Sequence, residues 1–288
     1  MTHDVNIFDR AAVRLHRDRA APDLGQHDFL LREVGQRLEE RLRGIKRRFP
    51  RTLDLGCHRG ELGNILAHRR DIKCIVNCDP SFGMAALAPG PRLVADEDSL
   101  PFQSNYFDMV MSLLSLHWVN DLPGAIIEVA RCLQPDGLFL AAMFGGETLT
   151  ELRRSLIQAE CKTSNQSYSR VSPFCEVRDL GDLLQRAGFA MPVVDIDQIM
   201  VSYPNVLNLM KDLRGMGESN AALDRPRHFT TRSTFESAPE FYPVTIGEPN
   251  GRINARFQIL YLAAWKAHAG QPQPLSPGEA QTRGSLTA

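Results

Sequence analysis

The stretch LDLGCHRGELG, residues 53–63, decides how this chain folds. An apolar strand runs into Gly56, and Gly60 follows four positions later, directly before the segment ELGNILAHRR. A strand, a glycine turn and a helix in this order form the first unit of an open α/β sheet, and the turn offers backbone N–H groups to a ligand. His58 stands between the two glycines, where such turns often carry another glycine. It adds a side chain at the point where a ligand would approach the backbone, which predicts weakened or pH-sensitive binding of that ligand.

Strands and helices alternate around this turn. Strands are predicted over RTLDLG, IKCIVNCD, RLVAD, YFDMVMSLLS and LFLAAMF, and helices over ELGNILAHRR, SFGMAALA and LPGAIIEVARCL. An amphipathic helix is predicted before the first strand, from apolar residues at spacings of three or four: Leu31, Val34, Leu38, Leu42, Ile45 and Phe49. This alternation predicts an α/β fold with a mostly parallel twisted sheet and helices on both faces.

The second half of the chain is less regular. EVRDLGDLLQRAGF and PNVLNLMKDLRGMG predict helices, PVVDIDQIMVSY predicts a strand, and unbroken alternation over 253–265 predicts another. The predicted organisation is an N-terminal arm and helix over 1–50 and one domain over 51–268. That domain has a cofactor half over 51–145 and substrate or lid elements over about 146–251. Residues 269–288, rich in Pro, Gly and Ser, are predicted to be disordered.

Composition and charge exclude some classes of protein. The 288 residues carry 33 Lys plus Arg against 34 Asp plus Glu, so there is no overall field that would gather nucleic acid. No apolar run is long enough for a membrane span. The absence of a signal predicts a bacterial-type cytoplasmic protein. The basic run at 37–49 is explained by a solvated helix face, with a docking surface for an acidic partner or for a membrane headgroup layer as the alternative.

Acidic residues follow the predicted strands. Asp79 ends the second strand, about twenty residues after the glycine turn, where a carboxylate can accept both hydroxyls of a ribose. Asp96, followed by Glu97, ends the third strand, where acceptors can meet the edge of an adenine ring. Together with Asp54 at the end of the first strand, these acids predict a nucleotide-type ligand in the crevice at the carboxyl ends of the strands.

The motifs LDLGC..G, CD, ADEDSLPF, FDMVMSLLSLHWVND and LQPDGLF resemble, in order and spacing, those of the class I methyltransferases that bind S-adenosylmethionine. The resemblance implies a Rossmann-like class I methyltransferase fold with an antiparallel C-terminal strand. It also implies cofactor contacts at Asp54, Gly56, His58 and Gly60 for the methionine end, Asp79 for the ribose, Asp96 and Glu97 for the adenine, and Ser112 below the sulfonium.

Longer strings cover nearly the whole chain: NIFDR, LSLHWVNDLP, AMFGGETLTELR, SPF, DLLQRAGF and LRGMGESNA. They resemble a family of methyltransferase-like assembly factors of respiratory complex I, known as protein-arginine hydroxylases. The resemblance implies a protein substrate, with an arginine of a complex I subunit as the target. A further resemblance, mainly in the first half, is to the malonyl-carrier-protein methyltransferases of biotin synthesis.

Three functions remain open at this point. The first is a cofactor-binding enzyme that modifies a protein arginine, and the second is an O-methyltransferase acting on a small-molecule or carrier-protein carboxylate. The third is an assembly chaperone without turnover. Position at the crevice makes His117, Trp118 and Glu147 the candidate catalytic residues; the alternatives are a packing or capping role for His117 and Trp118 and an early-helix carboxylate for Glu147. Candidate contacts to a partner, or else parts of a turn, are Arg214, Glu218 and Asn220. The eight histidines are scattered, so no metal site is predicted.

Overall fold

A computed structural model of the protein describes residues 6–164, 168–227, 230–242 and 251–268. The strands of these residues are β1 Arg51–Leu55, β2 Cys74–Asp79, β3 Arg92–Val94, β4 Phe107–Leu113, β5 Leu133–Phe144, β6 Phe189–Tyr203 and β7 Ile253–Lys266. They form one sheet in the order β3-β2-β1-β4-β5-β7-β6. The first five strands in this order are parallel, and β7 lies antiparallel between β5 and β6. The predicted sheet and its antiparallel C-terminal strand are therefore confirmed.

The α-helices of the described residues are α1 Arg10–Ala20, α2 Phe29–Arg43, α3 Glu61–Ile65, α4 Phe82–Leu87, α5 Leu122–Cys132, α6 Thr150–Ser164, α7 Val177–Arg186, α8 Val206–Met216 and α9 Arg232–Phe241. Local sequence explains several boundaries. The side chains of Ser81, Asp121 and Asn205 each accept one free backbone N–H group in the first turn of α4, α5 and α8, respectively. Gly217, at a φ of +85°, ends α8.

Apolar cores cover both faces of the sheet, because strand residues alternate between them. Met109 and Met111 of β4 belong to the core under α2, whereas Val110 belongs to the core under α5. The predicted stripe of α2 lies in the first core, although the helix ends at Arg43, before Ile45. The predicted helices on both faces are confirmed.

Besides the early end of α2, the structure departs from the sequence-based description in three helices that were not predicted and in the length of α3. Helices α1, α6 and α9 were not predicted, since their apolar patterns are short or interrupted by charge. The helix after Gly60 runs only from Glu61 to Ile65 before a 3-10 turn, instead of across ELGNILAHRR. The predicted disordered tail falls outside the described residues. No helix of the described part is long and apolar enough to cross a bilayer.

The basic run at 37–49 forms ion pairs within the chain. Arg41 pairs with Asp195 at 2.7 Å, and Arg43 pairs with Glu39 at 2.7 Å. Arg37 also pairs with Asp197. Pairs between partly exposed side chains contribute little to stability, but they satisfy most of the positive charge of this helix face. They favour the solvated face over a docking surface.

Candidate functional site

The carboxyl ends of β1, β2 and β4 form a crevice, as an open α/β sheet does where the strand order reverses. Asp54 lies near the end of β1, Asp79 ends β2, and Ser112 lies near the end of β4. The turn of residues 56–60 closes one side. The predicted acids thus come together at one edge of the sheet.

The turn requires glycine at both predicted positions. Gly56 has a φ of +68°, and a Cβ atom there would lie 2.0 Å from Oγ of Ser115. Gly60 has a φ of +86°, and its Cβ would lie 2.5 Å from Cδ of Pro89. Both positions need a left-handed backbone and a close approach, which only glycine allows without strain.

The backbone N–H groups of the turn are all used inside the protein. Those of Gly56 and Cys57 donate to the Cys78 carbonyl oxygen at 2.7 and 3.0 Å, and that of Gly60 donates to the Cys57 carbonyl at 2.8 Å. The remaining two donate to carboxylates: His58 to Asp79 at 3.0 Å and Arg59 to Glu61 at 2.8 Å. The turn is therefore satisfied without a ligand.

The predicted ribose acceptor holds a guanidinium. Asp79 is completely buried, and its Oδ2 accepts from Nη1 of Arg17 at 3.2 Å. Nη2 of Arg17 donates to Oγ of Ser115 at 2.9 Å. Burial alone would lower the pKa of Arg17, but the carboxylates of Asp79, Glu97 and Glu218 outweigh burial and raise it. Arg17 is only 1% exposed, so this is a charged pair inside the protein.

The predicted adenine acceptors hold two more guanidinium groups. Asp96 accepts from Arg10 at 3.2 Å and from Arg14 at 2.5 Å. Glu97, which is fully buried, accepts from Arg10 and from the Ser115 hydroxyl at 2.8 Å. Burial raises the pKa of Asp96, but the hydrogen bonds from Arg14 and Arg10 lower it below its ordinary value.

These three arginines lie on one face of α1. Their spacing of four and three residues places them on the same side of a helix. We call Arg10, Arg14 and Arg17 the arginine face. The side chain of Asp9 begins the helix by accepting from the N–H of Ala12 at 3.0 Å. The arginine face was missed in the sequence, where the only signals were this cap and the arginine spacing.

The methionine end of the predicted site is buried and lacks partners. Both carboxylate oxygens of Asp54 and the hydroxyl of Ser112 form no hydrogen bond with the described residues. Burial, with a smaller contribution from the charges of Glu61 and Asp79, raises the pKa of Asp54 well above its ordinary value. A buried carboxylate without donors is costly, so an approaching cationic group would be favoured here.

His58 is held inside the protein as a neutral imidazole. Its φ is +50°, and its Nε2 lies 2.9 Å from the Leu113 carbonyl oxygen, so Nε2 is the donor. Nδ1 has no partner among the described residues. Burial and the charge of Arg17 lower the pKa of His58 to about 3. The sequence had suggested pH-sensitive cofactor binding through this residue; this pKa argues against such dependence near neutral pH.

Two of the candidate catalytic residues share one acid. Nε2 of His117 and Nε1 of Trp118 each lie 3.0 Å from Oε2 of Glu218. His117 also contacts the rings of Phe144 and Phe174. Burial raises the pKa of Glu218, but His117, ahead of Arg17, outweighs it, and the net pKa is lowered. Glu218, which the sequence marked only as a candidate partner contact, is thus held ionised at the crevice.

The third candidate lies apart from this group. The Glu147 side chain is 55% exposed and pairs with Arg256 at 3.3 Å. It also accepts from Gln198 at 3.3 Å. These contacts bind it to the β6 and β7 edge of the sheet. No three His, Cys, Asp or Glu side chains of the described residues are arranged to hold a metal ion.

S-adenosylmethionine does not fit this crevice in the arrangement described. The unpartnered oxygens of Asp54 suit the ammonium group of a methionine moiety. However, the arginine face holds the acids expected to bind the adenosine, and the N–H groups of the turn are used. The cavity beside His58, of about 10 Å³ and the space of about one water molecule, is not lined by any of the predicted acids.

Comparison with known proteins agrees with the fold and the motifs. Residues 53–141 match the family model described as a methyltransferase domain. The chain is 42% identical to "Arginine-hydroxylase NDUFAF5, mitochondrial" of Danio rerio, covering 96% of this chain and 88% of the relative. It is 32% identical to malonyl-[acyl-carrier protein] O-methyltransferase of Methylovorus sp. (strain MP688), covering 99% of each.

The fold also matches solved methyltransferases. Phosphoethanolamine N-methyltransferase 2 of Haemonchus contortus, solved with S-adenosyl-L-methionine, has a TM-score of 0.55 and 15% identity over 89% of this chain and 60% of that chain. This likeness concerns the fold alone, which is the Rossmann-like fold of the class I methyltransferases. Within that class, the chain belongs to the family that includes the arginine-hydroxylase NDUFAF5 and malonyl-[acyl-carrier protein] O-methyltransferase.

Proposed function

We propose that this protein is an enzyme that modifies an arginine side chain of a protein, with a subunit of respiratory complex I as the substrate. Relatives that are 42% identical over 96% of the chain carry the name arginine-hydroxylase, against 32% identity for the O-methyltransferase relative. Under this proposal the target residue is basic, and the site that receives it is lined by acidic side chains.

The observation that carries the proposal is the burial of Arg17 in the crevice. Its guanidinium donates to Asp79 and Ser115 and lies under the influence of Glu97 and Glu218. A guanidinium is a planar group with several donors, and carboxylates are its preferred partners. Among these acids Glu218 is held by His117 and Trp118 and not by hydrogen bonds from α1, so its carboxylate has the chemistry needed to hold a substrate arginine.

Hydroxylation requires a co-substrate and a reductant. Breaking a C–H bond of arginine and inserting one atom of dioxygen forms a C–OH group, and the second atom leaves as water. The balance consumes two electrons and two protons, which a metal or organic redox group normally delivers. In the proposal this chain contributes binding and orientation of the arginine, with Glu218 held by His117 and Trp118 as the fixed acid.

We also propose that S-adenosylmethionine binds this crevice only when the arginine face releases its acids. Asp79 and Asp96 then become available, and Asp54 gains a cationic partner. A ligand that binds only the minor, opened state has an apparent affinity reduced by the population of that state. The proposal therefore predicts weak binding to the intact protein, with a marked dependence on the arginines of α1.

Mass spectrometry of a co-expressed substrate tests the enzyme proposal. The full chain is expressed with the candidate complex I subunit in a host that lacks its own relative, and arginine peptides of the subunit are weighed. The expected result is a gain of one oxygen mass on one arginine. A second measurement uses Glu218→Gln, which keeps the size of the side chain but removes its charge. This variant is expected to abolish the gain.

Other results would point to the other functions. A gain of one methylene mass on a carboxylate of the partner supports an O-methyltransferase and contradicts the proposal. An unchanged mass, together with complex I assembly that fails without the chain, supports a chaperone. A gain of oxygen mass that persists in Glu218→Gln would remove Glu218 from the account and leave the reaction in place.

A further inference from the structure

A cavity of about 840 Å³ lies beside α1, between that helix and α8, apart from the crevice. Its charged lining is strongly biased to one sign. One acid, Asp23, faces five cations: Arg19, Arg170, Lys211, Arg214 and Arg225. The whole chain has a net charge of −1, so this positive charge is a local feature. We call this space the basic cavity.

Three of these cations lack partners in the described part of the chain. Arg225 pairs with Asp9 at 2.8 Å, and Arg170 pairs with Glu160. By contrast, none of the ion pairs formed among the described residues includes Arg19, Lys211 or Arg214, and all three are exposed. Like charges gathered around one concave space repel one another and focus a positive potential, which an anionic ligand would relieve.

The basic cavity is also lined by apolar residues. These include Leu156 of α6, Met210 of α8 and Phe235 of α9. A site of this kind suits an extended ligand with an apolar body and negative groups, and it does not suit a free inorganic ion. A peptide segment with acidic side chains has this composition.

The basic cavity continues toward the crevice. A second, inner cavity of about 180 Å³ shares Arg170, Met210 and Arg214 with it. The inner cavity is also lined by Trp118 and Glu218. Glu218 is ionised at neutral pH, because His117 and Arg17 outweigh burial and lower its pKa. The connected space therefore has five cations and one acid in its outer part, and the carboxylate of Glu218 is the acid that its inner part adds.

We propose that the basic cavity binds acidic side chains that flank the target arginine of the protein substrate, while that arginine enters the inner cavity toward Glu218. This inference rests on the proposed function, and it adds a rule of specificity: aspartates or glutamates next to the arginine. Lys211 and Arg214 are the residues expected to read those acids. Charge complementarity of this type selects partners and weakens as salt is added.

Peptide binding to the full chain tests this inference. The probe is a short fluorescein-labelled peptide with a central arginine between aspartates, and binding is followed by fluorescence anisotropy. Two comparison peptides carry asparagine for the aspartates, or glutamine for the arginine. The double variant Lys211→Gln/Arg214→Gln is compared with Lys46→Gln/Arg48→Gln, an exposed pair just before β1 that loses the same charge.

The expected loss is about tenfold in affinity for the aspartate peptide in Lys211→Gln/Arg214→Gln, and the control variant should bind as the unaltered chain does. The asparagine peptide should bind weakly, and with about the same affinity, to Lys211→Gln/Arg214→Gln and to the control variant. The inference is overturned if the double variant keeps full affinity, or if aspartate and asparagine peptides bind alike. Equal binding of the glutamine peptide would overturn the entry of arginine and indicate a purely anionic substrate.

The enzyme proposal can fail separately. If the peptides follow the expected pattern but the co-expressed subunit gains no oxygen mass, the cavity recognises its acidic segment and the proposed reaction is wrong. If the subunit gains the mass but the double variant binds normally, the reaction stands and the basic cavity is not the recognition site.

Discussion

Arg17→Met is expected to tighten the binding of S-adenosylmethionine by on the order of a hundredfold while it destabilises the free protein. Met keeps most of the buried stem of Arg17 but removes its bonds to Asp79 and Ser115. Losing one partner of a buried ion pair costs roughly 3–5 kcal/mol, and cofactor binding to the unaltered chain must break this pair. The variant has already lost the ion pair, so cofactor binding does not have to break it. Most of that free energy then appears as tighter binding. Isothermal titration measures the affinity.

The matched control is Arg43→Met on α2, which loses an arginine paired with Glu39 outside the crevice. It is expected to bind the cofactor as the unaltered chain does. Should Arg17→Met fold poorly, Arg14→Gln gives the same direction with a smaller change, because the Arg14 side chain is 42% exposed. Weaker binding in either crevice variant would mean that the arginine face holds the cofactor and does not compete with it.

Asp54→Asn is expected to stabilise the free protein by about 1–3 kcal/mol at neutral pH, and to remove the stabilisation conferred by S-adenosylmethionine. The carboxylate is buried, lacks partners among the described residues, and is charged only at a cost. Its folded pKa lies above the ordinary value of 3.8, so the folded state binds more protons above that pH. Stability is thus lost as pH rises. Asparagine does not ionise, so Asp54→Asn does not lose this stability. The difference in thermal midpoint between the variant and the unaltered chain should therefore vanish below about pH 4.

Thermal melts with and without cofactor measure both effects. Asp182→Asn, on the exposed side of α7, serves as the control and should change neither the midpoint nor the ligand shift. A less stable Asp54→Asn would show that the carboxylate has a partner in the free protein. A retained ligand shift would show that Asp54 does not contact the cofactor.

The sheet and its crevice were predictable because they depend on short-range patterns. Strand alternation, the left-handed glycines at 56 and 60, and acids at the ends of β1 and β2 are all visible within a few residues. The same patterns do not show whether an acid is free. Asp79 was assigned to a ribose on its position alone, and its partner Arg17 lies 62 positions earlier.

Helix α1 could not be found in the same way. The buried side of α1 includes Arg17, and in a sequence a helix face that contains arginine predicts exposure to solvent. Its role depends on carboxylates 62 to 87 positions away, which only the folded chain brings together. For Glu147 the sequence position was misleading. Its place after β5 suggested a side chain in the crevice, but the side chain pairs with Arg256 outside it.

Hydrogen exchange of α1 in the full chain, with and without saturating S-adenosylmethionine, tests most directly whether the cofactor and the arginine face share the same acids. Amide protection reports local opening of a helix. We expect exchange over residues 10–20 to become faster when the cofactor is bound, while α5 on the other face of the sheet is unchanged. Slower or unchanged exchange over α1 would contradict the account.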